Sequence, residues 1–258
     1  MTTMIKAEPK KLQPWFPEML RPGVAHLFCF PYAGGSSAMY RSWQTHLSPQ
    51  IQLCPVELPG RGQRFNESPF QTLPSLIADL GAALLPHLNR PFAFFGHSMG
   101  ALISFELARW LRSHQSPLPQ HLFVSGRSAP SLPPTAPAIH TVSDEQFIAE
   151  LRHYAGTPEA ILQHPELMQI LLPTLRADFK LLETYEYHPQ APLPFPITAL
   201  GSFADSVAPP ATLEDWQIET SEQFNLRMFP GDHFFLQGAE PPLAELCAQA
   251  LCPEGLKH

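Results

Sequence analysis

The sequence predicts an α/β fold, a mostly parallel sheet with helices on both faces and one inserted helical segment. Three observations predict it. Short apolar runs alternate along the chain with segments whose apolar residues recur at helical spacing. The run FAFF (92–95) is continuously apolar, as in a strand buried on both faces. One connection, residues 131–192, is far longer than an ordinary crossover. A chain of 258 residues with 44% hydrophobic composition can bury a sizeable core, so the expected organisation is one α/β domain over 1–258 with 131–192 inserted as a helical lid.

The expected strands are VAHLFCF (24–30), IQLCPVEL (51–58), FAFFGH (92–97), HLFVSG (121–126), ITALGS (197–202) and NLRMFPG (225–231). Helical patterns fall between them at 36–47, 73–88, 100–112 and 241–251, the order of a parallel sheet whose ligands bind beyond the carboxyl ends of the strands. Within 131–192, Phe147, Ile148, Leu151 and Tyr154, and then Leu167, Ile170, Leu171, Leu175, Phe179 and Leu182, predict two or three amphipathic helices. Their apolar faces either cover the carboxyl edge of the sheet as a lid or pack elsewhere as decoration.

Composition excludes several classes of function. A net charge of −7 leaves no basic footprint for nucleic acid. No stretch of about eighteen apolar residues offers a membrane span, and the first fifteen residues, MTTMIKAEPKKLQPW, have no apolar signal core, so the expectation is a cytoplasmic protein free of the membrane. Cys29, Cys54, Cys247 and Cys252 show no C-x-x-C spacing and read as reduced, mostly structural thiols. The 31 prolines are spread among turns and mark loops, not disorder. No internal repeat is present.

The chemistry is carried by FAFFGHSMGALISFELA (92–108), where a strand pattern stops at GHSMG and a helix pattern begins. Gly96 and Gly100 flank Ser98 at two residues on either side, which permits a sharp strand-to-helix turn and places the Ser98 hydroxyl at the strand end. The Met99 N–H then lies at a helix N-terminus, where negative charge is stabilised. A serine hydroxyl is a weak nucleophile, so it needs a base and the base an orienting group. Of twelve histidines, His233 in MFPGDHFFL follows the last strand on the same edge, while His97 adjoins Ser98 and is expected to line the site or pack. Asp205, just beyond ITALGS, is the expected acid and gives the order Ser, Asp, His. Asp232 is the rival acid but sits one residue from His233 and reads as a turn residue; Glu214 and Asp215 read as the start of a helix. In FCFPYAGGSSAMY, Gly34 and Gly35 permit an unusual backbone and Ser36 can cap the next helix, making the Ala33 N–H the candidate second oxyanion donor beside Met99. GGSS lacks both a P-loop lysine and the G-x-G-x-x-G spacing, so nucleotide binding is disfavoured.

Nearly end to end, these motifs resemble the type II thioesterases that accompany nonribosomal peptide and polyketide synthases. The resemblance is carried by FCFPYAGGSS, ELPGRGQR, FGHSMGAL, SGRSAP, LRADFKLLETYEY, GSFAD followed by a tryptophan, and PGDHFFL. It implies the α/β-hydrolase fold, no cofactor or metal, and a monomer that hydrolyses acyl or aminoacyl thioesters on the phosphopantetheine arm of acyl or peptidyl carrier proteins through an acyl-serine. Ser98, Asp205 and His233 fall on the family's triad positions. Two departures stand out: Asp232 replaces a more usual glycine, and Ser202 interrupts a glycine pair. Arg61 and Arg64 match the family without a role beyond anchoring loops. A carboxylesterase or acyltransferase could use the same residues with another acyl donor or acceptor, and a noncatalytic binding module would be expected only if one of them were missing.

Overall fold

In the computed structural model, which describes residues 15–252 other than 19, 22, 135 and 155, all six expected strands are present. They are β1 (Ala25–Phe30), β2 (Ile51–Pro55), β3 (Phe92–His97), β4 (Leu122–Ser125), β5 (Ile197–Ser202) and β6 (Phe224–Phe229). The segment MTTMIKAEPKKLQPW, read above for a signal core, lies, apart from Trp15, outside the described residues. Every pairing is parallel, in the order β2-β1-β3-β4-β5-β6. The chain starts at β1, steps outward to β2, and returns past β1 to β3. The segments leaving β1 and β3 therefore diverge, and a crevice opens at the carboxyl ends of these neighbouring strands.

Side-chain alternation explains why the strands read as unbroken apolar runs. Phe28, Phe30, Phe92 and Phe94 face one layer, built on helices α1 (Leu73–Leu84) and α2 (Met99–Ser113). Leu27, Cys29, Ala93, Phe95 and Phe123 face the other, built on Tyr40, Trp43 and the last helix, α6 (Glu240–Leu251). With both faces covered, the strands before β6 are mostly apolar, and burying each of these aromatic rings contributes about 2 kcal/mol. Sheet edge β6 is only half-buried.

Three expected helices differ in detail for identifiable reasons. Residues Ser37–His46 form a 3₁₀ helix, because Tyr40 and Trp43, three apart, bury on one side where that helix brings positions i and i+3 into line. Helix α1 stops at Leu84 and tightens into a 3₁₀ turn at Leu85–His87, where Pro86 has no N–H to continue the ladder. The acidic start at Glu214 is a 3₁₀ segment, Glu214–Glu219. The segment between β4 and β5 carries α3 (Asp144–Tyr154), α4 (Glu159–Leu162) and α5 (Pro165–Glu183), which share a small core of their own built on Phe147, Leu151, Leu162, Met168, Leu175 and Phe179.

Candidate active site

Sterics fix the turn after β3. A Cβ on Gly96 would lie 2.1 Å from the Gly100 carbonyl oxygen, and one on Gly100 would lie 2.0 Å from the Phe30 carbonyl oxygen. Both contacts are to backbone, so no side-chain movement relieves them, and strand, turn and helix close together only with glycine at both positions. Ser98 between them has φ 52 and ψ −111, a backbone region that costs a non-glycine residue about 1–3 kcal/mol. The Ser98 N–H donates to the Ser125 carbonyl at the end of β4 (2.7 Å), and the Ser98 carbonyl accepts from the Ala101 N–H (3.1 Å), which opens α2. Met99 is the first helical residue, so its N–H has no partner within the helix.

Across the crevice, the chain leaving β1 turns at residues 32–35. The Gly35 N–H donates to the Tyr32 carbonyl (2.9 Å), and Gly34 sits at φ +78, as the third position of a type II turn requires. Ala33 occupies the corner and lines the same cavity as Ser98. Ser36 caps the following helix through Ala38 N–H, as expected from its position.

The Asp205 carboxylate is buried behind β5 with both oxygens engaged. Oδ1 accepts the N–H groups of Val207 (2.8 Å) and Ala208 (3.0 Å), and Oδ2 accepts from His233 Nδ1 (2.8 Å). A proton held on Nδ1 by that bond leaves Nε2 as the basic nitrogen. Asp232 turns away: its Oδ1 accepts the Phe234 N–H (2.8 Å), the short turn read for it from sequence. The two departures from the family pattern meet here, since the Ser202 hydroxyl donates to the Asp232 carbonyl (2.7 Å) and ties the end of β5 to the His233 loop.

His97 is buried, shares a hydrogen bond with the Ser125 hydroxyl (3.0 Å), and packs its ring 5.0 Å from that of His233. Burial, with an unfavourable electrostatic interaction from the neighbouring His233 ring, holds its pKa well below the usual histidine value, so His97 is a neutral wall behind His233. Gly126 fits against both rings: a Cβ there would stand 2.6 Å from His97 Cε1 and 3.2 Å from His233 Cε1. Among the other histidines, His26 on β1 is buried, and His121 is partly buried, stacked on Phe123 (4.3 Å).

Ser98, Ala33 and His233 open onto one cavity of about 660 Å³, roofed by Leu151, Tyr154, Leu175 and Phe179 of the inserted helices. That volume falls in the range of a small-molecule site. Arg127, beside Gly126, also lines it, and its guanidinium has no hydrogen bond or ion pair among the described residues.

Sequence reasoning missed the contacts that hold this site from behind. Arg61, left without a role, makes a bidentate ion pair with Asp178 of α5 at 2.7 Å on each prong, and both side chains are buried. Arg64 is buried on Glu67 and on the face of Trp15. The available signal was Asp178 itself, a carboxylate among Leu171, Leu175, Phe179 and Leu182, since a charge on an apolar face implies a buried partner.

A parallel doubly covered sheet, a glycine-flanked serine turn and a His–Asp pair on the following strand ends define an α/β-hydrolase. The chain belongs to the thioesterase family: the Thioesterase domain model matches residues 25–251. Linear gramicidin dehydrogenase LgrE of Brevibacillus parabrevis is 47% identical over 91% of this chain and 90% of its own length. Thioesterase PikA5 of Streptomyces venezuelae is 40% identical over 83% and 76%. The solved type II thioesterase BorB, from the borrelidin biosynthetic cluster, superposes with a TM-score of 0.81 at 37% identity, over 90% of this chain and 94% of its own. The redox name of LgrE finds no counterpart in these motifs, because the loop after β1 carries GGSS where a dinucleotide site needs G-x-G-x-x-G. Among the described residues no helix is long and apolar enough to cross a membrane.

Proposed function

We propose that this enzyme is a type II editing thioesterase that hydrolyses acyl or aminoacyl thioesters from the phosphopantetheine arm of carrier proteins, with Ser98 as nucleophile, His233 as base and Asp205 as its orienting acid. One observation carries the reading: His233, its Nδ1 held by Asp205, shares a cavity with a serine on a strained glycine-flanked turn. His233 Nε2 takes the Ser98 proton as Oγ bonds to the thioester carbonyl carbon. The negative oxygen formed is held by the N–H groups of Met99 and Ala33. The C–S bond then breaks, the proton passes to the pantetheine sulfur, and an acyl-serine remains. Water deprotonated by the same nitrogen releases the acid and restores Ser98, while Asp205 stabilises the charged imidazole in both halves. These steps call for neither metal nor cofactor.

Residues 131–192 act as a helical lid on a single α/β-hydrolase domain, and the enzyme works as a cytoplasmic monomer without nucleic acid or membrane. Its partner is a phosphopantetheinylated acyl or peptidyl carrier domain. Contacts remote from the carbonyl contribute binding energy at the reacting centre, so the same acyl group reacts with higher kcat/KM on a carrier than on coenzyme A. The test compares one acyl group on a carrier protein, on coenzyme A and as an oxyester at fixed salt. Equal rates on carrier and coenzyme A would remove carrier recognition, and preference for the oxyester would make the enzyme a carboxylesterase.

A further inference from the structure

The turn that carries Ala33 is gripped by the inserted region. Asp178 on α5 accepts the Gly34 N–H through Oδ2 (2.7 Å), and the same carboxylate receives both prongs of Arg61. Arg61 in turn donates to the Gly35 carbonyl (3.2 Å). The backbone on either side of the Gly34–Gly35 peptide is therefore clamped between an acid from the insert and a base from the loop after β2. One turn earlier on α5, the Thr174 hydroxyl donates to the Gly60 carbonyl (3.0 Å), next to Arg61. Thr174 and Asp178, four apart, lie on one face of the helix. A Cβ on Gly34 would lie 2.6 Å from Leu175 Cδ2, and one on Gly60 would lie 2.7 Å from Thr174 Oγ1, so the α5 side chains pack directly on both turns. Both glycines have positive φ, +78 and +84, and are fixed by conformation.

A buried ion pair is a poor device for stability, because desolvation offsets most of its Coulomb gain. A bidentate pair does fix geometry, and here the geometry fixed is that of the turn whose corner is Ala33. We propose that Asp178, locked by Arg61, is a positioning residue for the oxyanion hole, so that helix α5 is a fixed part of the catalytic apparatus. The inference rests on the reading of Ala33 N–H as an oxyanion donor. The remainder of the insert is tied differently. Helices α3 and α4 pack on the insert's own core, and the Ile139 and His140 N–H groups reach back to Glu183 at the end of α5. Arg176 of α5 adds an ion pair to Asp144 (2.6 Å) and a bond to the His140 carbonyl (2.9 Å), and Ala33 itself packs on the insert's core.

Asp178→Asn tests the proposal, since it keeps an acceptor for Gly34 N–H but replaces an anion facing Arg61 with a neutral amide. Three quantities are measured: kcat and KM on one acyl thioester, affinity for an acyl boronate that mimics the tetrahedral intermediate, and affinity for an unreactive thioether analogue of the substrate. A displaced donor acts only on the tetrahedral form, so kcat and boronate affinity should each fall about 10- to 100-fold while KM and thioether affinity stay within about twofold. A structural role alone would lower the melting temperature without separating the two ligands. Should Asp178→Asn not fold, Arg61→Lys, which keeps the cation but loses the two-pronged grip, decides the question by the same readouts. A folded variant with wild-type kcat and boronate affinity overturns the positioning role. Wild-type protein that hydrolyses no thioester overturns the assigned function instead, and the two failures are told apart by the wild-type measurement alone.

Discussion

The sheet edge and the inserted helices build opposite walls of one cavity by different means. At the sheet edge the geometry is dictated by steric exclusion: Gly96, Gly100 and Gly126 are each closed in by atoms of the chain that leave no room for a methyl group. The wall contributed by α3, α4 and α5 is held by a separate apolar cluster and by a few buried polar contacts to the loops below. The comparison teaches that the turn carrying Ser98 is set by backbone sterics, while the facing wall is set by side-chain packing and, on α5, by the Asp178 and Thr174 contacts.

Substitutions can break or sharpen that contrast. The largest effect is expected at the sheet edge, where Ser98→Ala should lower kcat by several powers of ten, up to about 10⁶, and abolish labelling by a serine-directed phosphonate in a protein that remains folded. Wild-type turnover in that variant would remove the nucleophile assignment. Asp205→Asn should follow, with a loss of about 10⁴ because the imidazole is no longer held in the required tautomer. Asp232→Asn, whose side chain binds only the Phe234 N–H, should stay within about tenfold of wild type, and steady-state kinetics of the two folded proteins settle the ranking.

Effects at cavity residues away from the Ser98 turn should be smaller and should show in specificity. The Arg127 guanidinium, without an ion pair among the described residues, should disfavour a second positive charge in the cavity. Arg127→Met is expected to raise kcat/KM for an acyl group ending in an ammonium, relative to a neutral group of the same length, by roughly tenfold, corresponding to about 1.4 kcal/mol. An unchanged ratio would place the acyl terminus away from Arg127. The smallest effect concerns acid stability. Burial lowers His121 to about 4, against about 6.5 in an unfolded chain, so between those values the unfolded state binds a proton that the folded state does not. Stability is full above pH 6.5 and lost as pH falls towards 4. His121→Gln should therefore flatten the fall in melting temperature between pH 7 and pH 4.5, and an unaltered slope would contradict the assignment.

Legibility from sequence followed the same division. The strands were readable because burial on both faces favours apolar residues, and their ends fall within three residues of the expected ones. Ser98 and its flanking glycines announced themselves because a steric requirement leaves a residue-type signature. Asp205 and His233 were placed by chain order at strand ends, and the structure brings them to 2.8 Å. The clamp was not legible: Arg61 and Asp178 are 117 positions apart, and nothing in local periodicity says which arginine a helix acid will meet. Nor could the bond between Ser202 and the Asp232 carbonyl be foreseen, although both positions had been noticed as departures. Local patterns report burial and backbone conformation, whereas pairing across the fold depends on the assembled topology.

The cysteines bear on how such an enzyme can be watched. Cys29, Cys54 and Cys247 are buried in the layers that flank the sheet, and desolvation raises all three above the usual thiol range, so at neutral pH they hold almost no thiolate. Cys252, at the end of α6, is the only one with partial exposure. An aromatic disulfide that turns yellow on reaction with thiols should register, in native protein, one slow equivalent from Cys252 and thereafter only the sulfhydryl freed from pantetheine. Each turnover can then be counted continuously in the presence of the reagent, with the enzyme's own sulfur nearly silent.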